Sequence, residues 1–365
     1  MTLVYLSPVP WASFAQRPHK FVTWFHATTK RDVLWVDPYP TRLPVFADFS
    51  QMMTKQTTTI VENTPKWLTI VRPRALPIEP LWGIGTVNGL LWRDVLRVVS
   101  VWLANKESIL AIGKPSALAV QILKRHKTTV SLYDAMDDFP AFYEGLSKAS
   151  LKNCEEKILS LVSQVLVSST RLAERFTGRC AKLTLVLNAC AAHTLPALKP
   201  KNKENKLILG YVGTIAHWFD WPLVFKLAES NPLMVVRLIG PVHLPPPKPL
   251  LNNMELLPAC DHASAIRAMQ EFTIGLIPFK QTDLTASVDP IKYYEYHALG
   301  LAIISTSFGE MALRDGQKGV FLINEHSNFA NIIESASVYA YQLEEIEQFR
   351  TLNSWERRFD ASGIL

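Results

Sequence analysis

The chain has 365 residues, 48% of them hydrophobic and 19% charged. That balance excludes a disordered polypeptide, and at roughly 100–200 residues per domain it points to two domains. Lys and Arg number 38 against 32 Asp and Glu, a net charge of +6, which suits phosphate-bearing small molecules, an anionic membrane face or nucleic acid without choosing among them. No window offers the ~18 uninterrupted apolar residues of a membrane-spanning helix; the nearest, 87–123, is broken by Arg93, Asp94, Arg97, Lys106, Glu107 and Lys114.

The N-terminal "MTLVYLSPVPW" has no basic region before its apolar run, so it reads as a first core strand and not as a signal peptide. Further strands are expected at 33–39, 68–74, 108–115, 128–138 and 163–169, each β-branched or Leu-rich and closed by polar, Pro or Gly residues. Between them, 115–126 and 149–162 carry apolar residues at spacings of three and four, the helical period. Alternating strand and helix implies a parallel sheet covered on both faces. The stretch 188–206, rich in Pro, Asn and Lys and without periodicity, reads as a hinge. Strand-like runs resume at 207–214, 234–241, 254–259, 272–279 and 301–306. The expected organisation is therefore an α/β domain over 1–187, a linker over 188–206, a second α/β domain over 207–345, and a helical tail over 346–365 that packs back toward the first domain. The cysteines, Cys154, Cys180, Cys190 and Cys260, form no CxxC pair and have no His cluster beside them. They read as reduced thiols of a cytoplasmic protein, with no metal site.

Ligands of open parallel sheets bind beyond the C-terminal ends of the strands, so the loops there are the candidates for chemistry. "GYVGTIAHWFD" (210–220) ends a strand at Gly213 and Thr214 and runs toward a helix. Glycine lets a backbone approach a ligand, and free amides near a helix start favour phosphate; a plain structural turn is the other reading. "LIGP" (238–241) places a second glycine at a strand end. "PFKQTDLTASVDPIKYYEYHALG" (278–300) follows a buried strand. Asp289 suits an N-cap, Pro290 the first helical position, and Gly300 the residue past the end. Lys292 and Glu295 share a helix face. A lysine in the first turn opposes the helix dipole, so it answers a bound anion, or it simply pairs with Glu295. "YDAMDDFPAFYE" (133–144) sets Asp134, Asp137 and Asp138 close together past a strand. Three acids so placed repel unless they are solvated, cap a loop or bind something, and without a nearby His metal is not expected. After the first strand, "WASFAQRPHKF" (11–21) joins Trp11, Gln16, Arg17 and His19; Arg17 could bind a phosphate or an acidic acceptor, with a helix-capping and packing role as its alternative.

Taken in order, "PWASFAQRPHKF", "YDAMDDFPAF", "LVSSTRLAERF", "VLNACAAHTL", "GYVGTIAHWFDWPLV", "RLIGPV" and "IPFKQTDLTASVDPIKYYEYHALGLAIIST" span nearly the whole chain. The chain resembles the bacterial GT-B glycosyltransferases, close to the large retaining family 4 and its teichuronic-acid and exopolysaccharide branch. The resemblance implies two Rossmann-like domains with parallel sheets facing a central cleft. The C-terminal domain would hold a nucleoside-diphosphate sugar and the N-terminal one would admit the acceptor, a glycan or a lipid-linked sugar. It implies ribose contact by Glu295, diphosphate contact by Lys292, a donor-lining role for Asp283, Leu284 and Thr285 beside Gly213 and Thr214, and a catalytic-loop role for Asp134 or Asp137. Arg17, His19 and Asp138 would face the acceptor. No cofactor or metal is implied. Two positions depart from the family pattern: Ser287 stands where a second glutamate is usual, and "TIAHWFD" replaces a basic pair. With Ser287 there, a non-catalytic sugar- or nucleotide-binding protein remains the alternative. The lysines are scattered and not interleaved with aromatics, so nucleic acid is not expected; the positive charge fits a peripheral hold on an anionic inner membrane.

Overall fold

The computed structural model describes residues 2–43, 64–81, 83, 87–104, 107–126, 130–198 and 206–365. Seven parallel strands form the first sheet: β1 (Leu3–Leu6), β2 (Val33–Val36), β3 (Leu68–Val71), β4 (Ile109–Ile112), β5 (Val130–Ala135), β6 (Gln164–Val167) and β7 (Leu183–Leu185), in the order β3-β2-β1-β4-β5-β6-β7. Six more form the second: β8 (Ile208–Val212), β9 (Val235–Ile239), β10 (Met254–Leu257), β11 (Ile274–Ile277), β12 (Ala302–Thr306) and β13 (Val320–Ile323), in the order β10-β9-β8-β11-β12-β13. The strands expected from sequence are present, each trimmed of its polar flanks. β7 and β13 were not foreseen. Both lie at sheet edges, and β7 is three residues long with no buried position.

In both sheets the chain steps outward on one side, returns, and continues on the other. That reversal puts a crevice between β1 and β4 in the first sheet and between β8 and β11 in the second, the places where open α/β sheets bind ligands. The register fixes the depth of each. Leu3 pairs with both Val33 and Ile109, and Ile274 pairs with Leu209 and Ala302.

The chain divides into two units, Met1–Val186 with Ser362–Leu365, and Leu187–Ala361. In unit one the central strands are buried on both faces, which is why they read as continuous apolar runs. Tyr5, Phe21, Phe25 and Trp35 are fully buried, each worth about 1.5–3 kcal/mol of transfer free energy. The last residues join this unit through Gln164 Nε2, which donates to the Ser362 carbonyl at 2.9 Å.

Unit two includes the first part of the expected linker; residues 199–205 lie outside the described residues. Residues 188–198 are tied down and do not run free. The Cys190 N–H donates to the Asn353 carbonyl at 3.0 Å, and Arg350 donates to the Pro196 carbonyl at 3.2 Å. The tail forms two helices, Leu343–Leu352 and Trp355–Asp360, and the first packs on the helix Ile291–Ala298. There His297 lies flat between Phe349, 3.7 Å away centroid to centroid, and Tyr341 at 4.3 Å. Burial holds its imidazole down at about 4, so it packs as a neutral ring. No helix among the described residues is long and apolar enough to cross a membrane.

Candidate functional site

At the switch point of unit two, the structure brings together the two loops singled out in the sequence. The segment after β8 does not enter a helix at once. It crosses to the loop after β11, with Phe219 bridged to Phe279, the Asp220 N–H donating to the Pro278 carbonyl at 2.8 Å and the Lys280 N–H donating to the Trp218 carbonyl at 2.7 Å. The following helix begins only at Trp221, capped by the Asp220 carboxylate on the Leu223 N–H. Gly213 and Thr214 thus sit in a crossing loop, not at a helix N-terminus. Of their neighbours, the Gly213 and Ile215 amides bond back to Ile239 and Pro241. The Thr214 amide has no acceptor among the described residues. Gly240 closes the floor: a Cβ there would lie 2.1 Å from the Gly213 carbonyl oxygen, so only glycine permits this approach of two strand ends.

The loop after β11 is pinned from within. Thr285 is buried, its hydroxyl donating to the Lys280 carbonyl at 2.5 Å while accepting the Thr282 N–H at 2.9 Å. Leu284 is buried beside it, and Asp283 stands exposed at the tip. Thr285 and Leu284 therefore shape the loop, and the amides of Asp283 and Leu284, without acceptors among the described residues, are what it presents.

The helix after this loop spans Ile291–Ala298 with Pro290 as its N-cap. This corrects the expectation for Asp289. Its carboxylate does not cap the helix but takes three other donors: the Asn188 N–H at 2.7 Å, the Tyr294 hydroxyl at 2.9 Å and the Arg314 guanidinium at 2.7 Å. Arg314 also lies 3.7 Å above the Tyr293 ring. The physical reason is charge: a buried carboxylate is stabilised far more by a buried guanidinium than by a neutral amide. With Asp289 engaged elsewhere, the Ile291 and Lys292 amides have no acceptor among the described residues, so the helix start is open to an anion. Gly300 follows at φ +72, the left-handed residue expected past the end. Lys292 and Glu295 share one face and pair with each other. Glu295 is nearly buried, and Lys292 keeps 23% of its side chain exposed.

In unit one the three acids after β5 separate into different roles. Asp134 has no exposed surface, and both its oxygens are taken, by Arg17 Nε at 2.8 Å and by the Tyr5 hydroxyl at 2.9 Å. Asp138 pairs with Arg175, which also holds Glu155, itself the acceptor for the Tyr133 hydroxyl at 3.0 Å. The Asp137 carboxylate alone has no hydrogen-bond or ion-pair partner among the described residues, its backbone carbonyl accepting the Phe139 N–H at 3.0 Å. Burial, reinforced by the charges of Asp138 and Asp134 and opposed by Arg17, pushes its carboxyl up to about 7.

The two acceptor-side residues after β1 are also placed in the interior. Arg17 is fully buried, donating to Asp134 and, at 2.6 Å, to the Val186 carbonyl. His19 closes a capping box: its Nδ1 accepts the Gln16 N–H at 3.2 Å and its Nε2 meets the Trp11 carbonyl at 3.2 Å. Burial lowers its pKa, so it is neutral. Neither offers a surface to an acceptor; they fix the loop that follows β1, which for Arg17 is the packing alternative and for His19 corrects the acceptor-side expectation.

Two basic residues at unit two's switch point went unremarked in the sequence. Lys280 ends the β11 crossing and His217 lies exposed on the β8 crossing, and neither has an ion-pair partner among the described residues. The signal available was position: each lies within five residues of the end of one of the two strands that flank the reversal.

No protein-family model matches the sequence, and no curated protein matches it. Solved structures do match. The lipopolysaccharide outer core galactosyltransferase WaaB, in its apo form, aligns over 99% of this chain and 99% of its own, with a TM-score of 0.60 at 11% identity. OtsA, a trehalose-6-phosphate synthase, aligns over 99% of this chain and 98% of its own at 0.62 and 11% identity. A trehalose-6-phosphate protein from E. coli bound with UDP-2-fluoro glucose aligns over 100% of both chains at 0.61 and 10% identity. These neighbours are GT-B glycosyltransferases, and the chain shares their fold, two α/β units built on parallel sheets. At such identities the likeness establishes the fold, and the chemistry must be argued from the site.

Proposed function

We propose that the protein is a retaining glycosyltransferase of the family-4 kind, moving a sugar from a nucleoside diphosphate to a hydroxyl of a bacterial surface glycan or lipid-linked acceptor. The observation that carries this reading is the convergence at unit two's switch point. A floor narrowed by Gly213 and Gly240, the open amides of the β11 loop, and a helix start bearing Lys292 meet in a chain that matches glycosyltransferases over its full length. Departing diphosphate needs cationic and N–H donors already in place. The amides of Thr214, Asp283, Leu284, Ile291 and Lys292, with the Lys292 ammonium, supply them, and Lys280 and His217 stand where the family's basic pair is missing. No metal is then required for charge neutralisation. Glu295 accepts from the ribose hydroxyls, sharing Lys292 with the phosphates. In the transfer, the bond from the anomeric carbon to the diphosphate oxygen breaks, the acceptor oxygen bonds to that carbon, and the acceptor proton passes to the leaving phosphate. Asp137 is the carboxylate of unit one assigned to the sugar; Asp134 and Arg17 hold its loop in place. The basic surface supports a peripheral hold on an anionic inner membrane.

A panel of labelled UDP, GDP, CDP and dTDP sugars tests the reading with membrane-extracted glycan acceptors. One donor should yield labelled product, with or without EDTA. Binding without product would turn the protein into a sugar-nucleotide-binding one, and no binding to any donor would sink the reading. The pH profile tests Asp137. A carboxyl raised to about 7 is protonated below that pH, and its charge is what a developing oxocarbenium ion needs. The rate should therefore climb as pH passes through about 7, and Asp137→Asn should abolish that limb; an unchanged limb in the variant removes Asp137 from the chemistry.

A further inference from the structure

On unit one, the helices Arg93–Leu103, Ala117–Arg125 and Gly145–Leu161 border a groove of about 820 Å³. That volume lies within the ~300–1,000 Å³ typical of ligand sites. Its wall is mostly apolar, with Leu81, Trp92, Ala117, Leu146, Ala149 and Cys154 in it. On Gly145–Leu161 the lining positions recur at spacings of three and four from Leu146 to Lys157, so one stripe of this helix borders open space. At 1.5 Å of rise per residue that stripe is about 16 Å long. Leu146 keeps 57% of its surface exposed, and Leu90, next to the groove-lining Gly89, keeps 60%. Exposed apolar side chains gathered at a groove mark a binding surface.

The groove is placed where a substrate could use it. Ala117 begins the helix that follows β4, and Leu146 lies in the first turn of the helix that follows β5. One end of the groove is therefore at the C-terminal edge of the sheet, the edge at which β5 leads into the loop of Asp137. The charge around it is positive. Lys157 lines it, Lys124 follows the lining Gln121 by three residues on the same helix, and Arg93 follows Trp92. All three are exposed and have no ion-pair partner among the described residues. The exposed acids within these helices are already engaged, Asp94 with Arg97 at 3.3 Å and Glu156 with Arg179. Glu79, the acid among the described lining residues, accepts the Ala117 N–H at 3.0 Å and the Tyr39 hydroxyl, and Lys114 is its opposite charge.

We propose that this groove binds a phosphate-bearing lipid chain, the carrier of a lipid-linked acceptor, with the chain laid along Gly145–Leu161 and the phosphate against the rim cations. The word acceptor rests on the glycosyltransferase reading; the lipid binding does not. An apolar wall with a cationic rim complements a chain that carries an anion. A neutral chain leaves the cations unused, and a free phosphate leaves the wall in water.

Calorimetry on the full chain tests this with decyl phosphate below its micelle concentration, decanol and inorganic phosphate. Decyl phosphate should bind about tenfold or more tighter than decanol, the gap set by one charged contact. Inorganic phosphate should bind about a hundredfold or more weaker than decyl phosphate, because it buries no apolar surface. Ala149 and Asn153 are exposed positions of the lining stripe, so Ala149→Trp and Asn153→Trp fill the groove without entering the core. Each should cut decyl phosphate affinity about tenfold or more. Nucleoside diphosphate affinity should stay at the parent value, which also shows that the variants are folded. If one variant loses that affinity, the other decides, and loss in both counts against the proposal. The proposal is overturned if decyl phosphate binds no tighter than decanol or than inorganic phosphate, or if both tryptophans leave its affinity unchanged. It is also overturned if Ala149→Trp weakens adhesion to phosphatidylglycerol vesicles while decyl phosphate does not bind, since the surface then holds a bilayer and not a single chain. Decyl phosphate binding without turnover of any sugar nucleotide would overturn the transferase reading and leave the groove standing; turnover onto a water-soluble glycan without decyl phosphate binding does the reverse.

Discussion

Replacing Arg17 with leucine should lower the stability of unit one by about 3–5 kcal/mol, the usual cost of breaking a buried ion pair from one side. Neither partner has exposed surface, so no water is at hand to take over the Asp134 oxygen that Arg17 leaves. The same change strands the Val186 carbonyl, which accepts from Arg17 Nη1 at 2.6 Å. The second half of the test separates pair from packing. In Arg17→Leu/Asp134→Leu the uncompensated charge is gone, and part of the loss should return, with the Tyr5 hydroxyl and the Val186 carbonyl left unpaired. Denaturant unfolding followed through Trp11 and Trp35 fluorescence reads both, since these rings lie 5.1 Å apart beside His19. A loss under ~1 kcal/mol in the single variant would mean the pair contributes little net stability. The pair also bears on function. It anchors the end of β5, from which the chain turns to present Asp137 two residues beyond Ala135.

Which parts of this were legible in advance follows from range. Parallel strands buried on both faces must be apolar at nearly every position, so β1, β2, β4, β8, β11 and β12 announce themselves as short apolar runs. β7 and β13 are edge strands with part of their surface exposed, and nothing local marks them. The helix over 291–298, its glycine stop and the shared face of Lys292 and Glu295 are all encoded within ten residues, and they came out as read. The role of Asp289 is not, because its guanidinium partner lies 25 residues downstream and its amide partner 101 upstream. Burial of a charge has the same character. Arg17 and His19 look like ligands in a string of letters because cations are seldom interior, and only the fold shows the carboxylate and carbonyls that receive them. The three aspartates are visible as a cluster in the sequence, but their partition depends on Arg17 and Arg175, one from each side along the chain.

Lys292→Ala should lower donor turnover by about 10²–10³-fold, the range seen when one preorganised donor to a developing anion is removed. The structure complicates the simple version of this test. Lys292 pairs with Glu295, whose side chain is nearly buried, so removing the lysine strands a carboxylate and should itself cost about 1–3 kcal/mol of stability. A fall in activity could then reflect a distorted helix start. Lys292→Met/Glu295→Gln resolves the ambiguity. Methionine keeps the stem's packing, the neutral amide has no charge to strand, and stability should return to near the parent value. If Lys292 acts on the diphosphate, turnover must stay low in this restored protein, and affinity for the nucleoside diphosphate must fall as well through loss of both the phosphate and the ribose contacts. If turnover recovers along with stability, the pair is only a strut within the helix, and the anion at its open N-terminus is held by the Ile291 and Lys292 amides without help from the side chain.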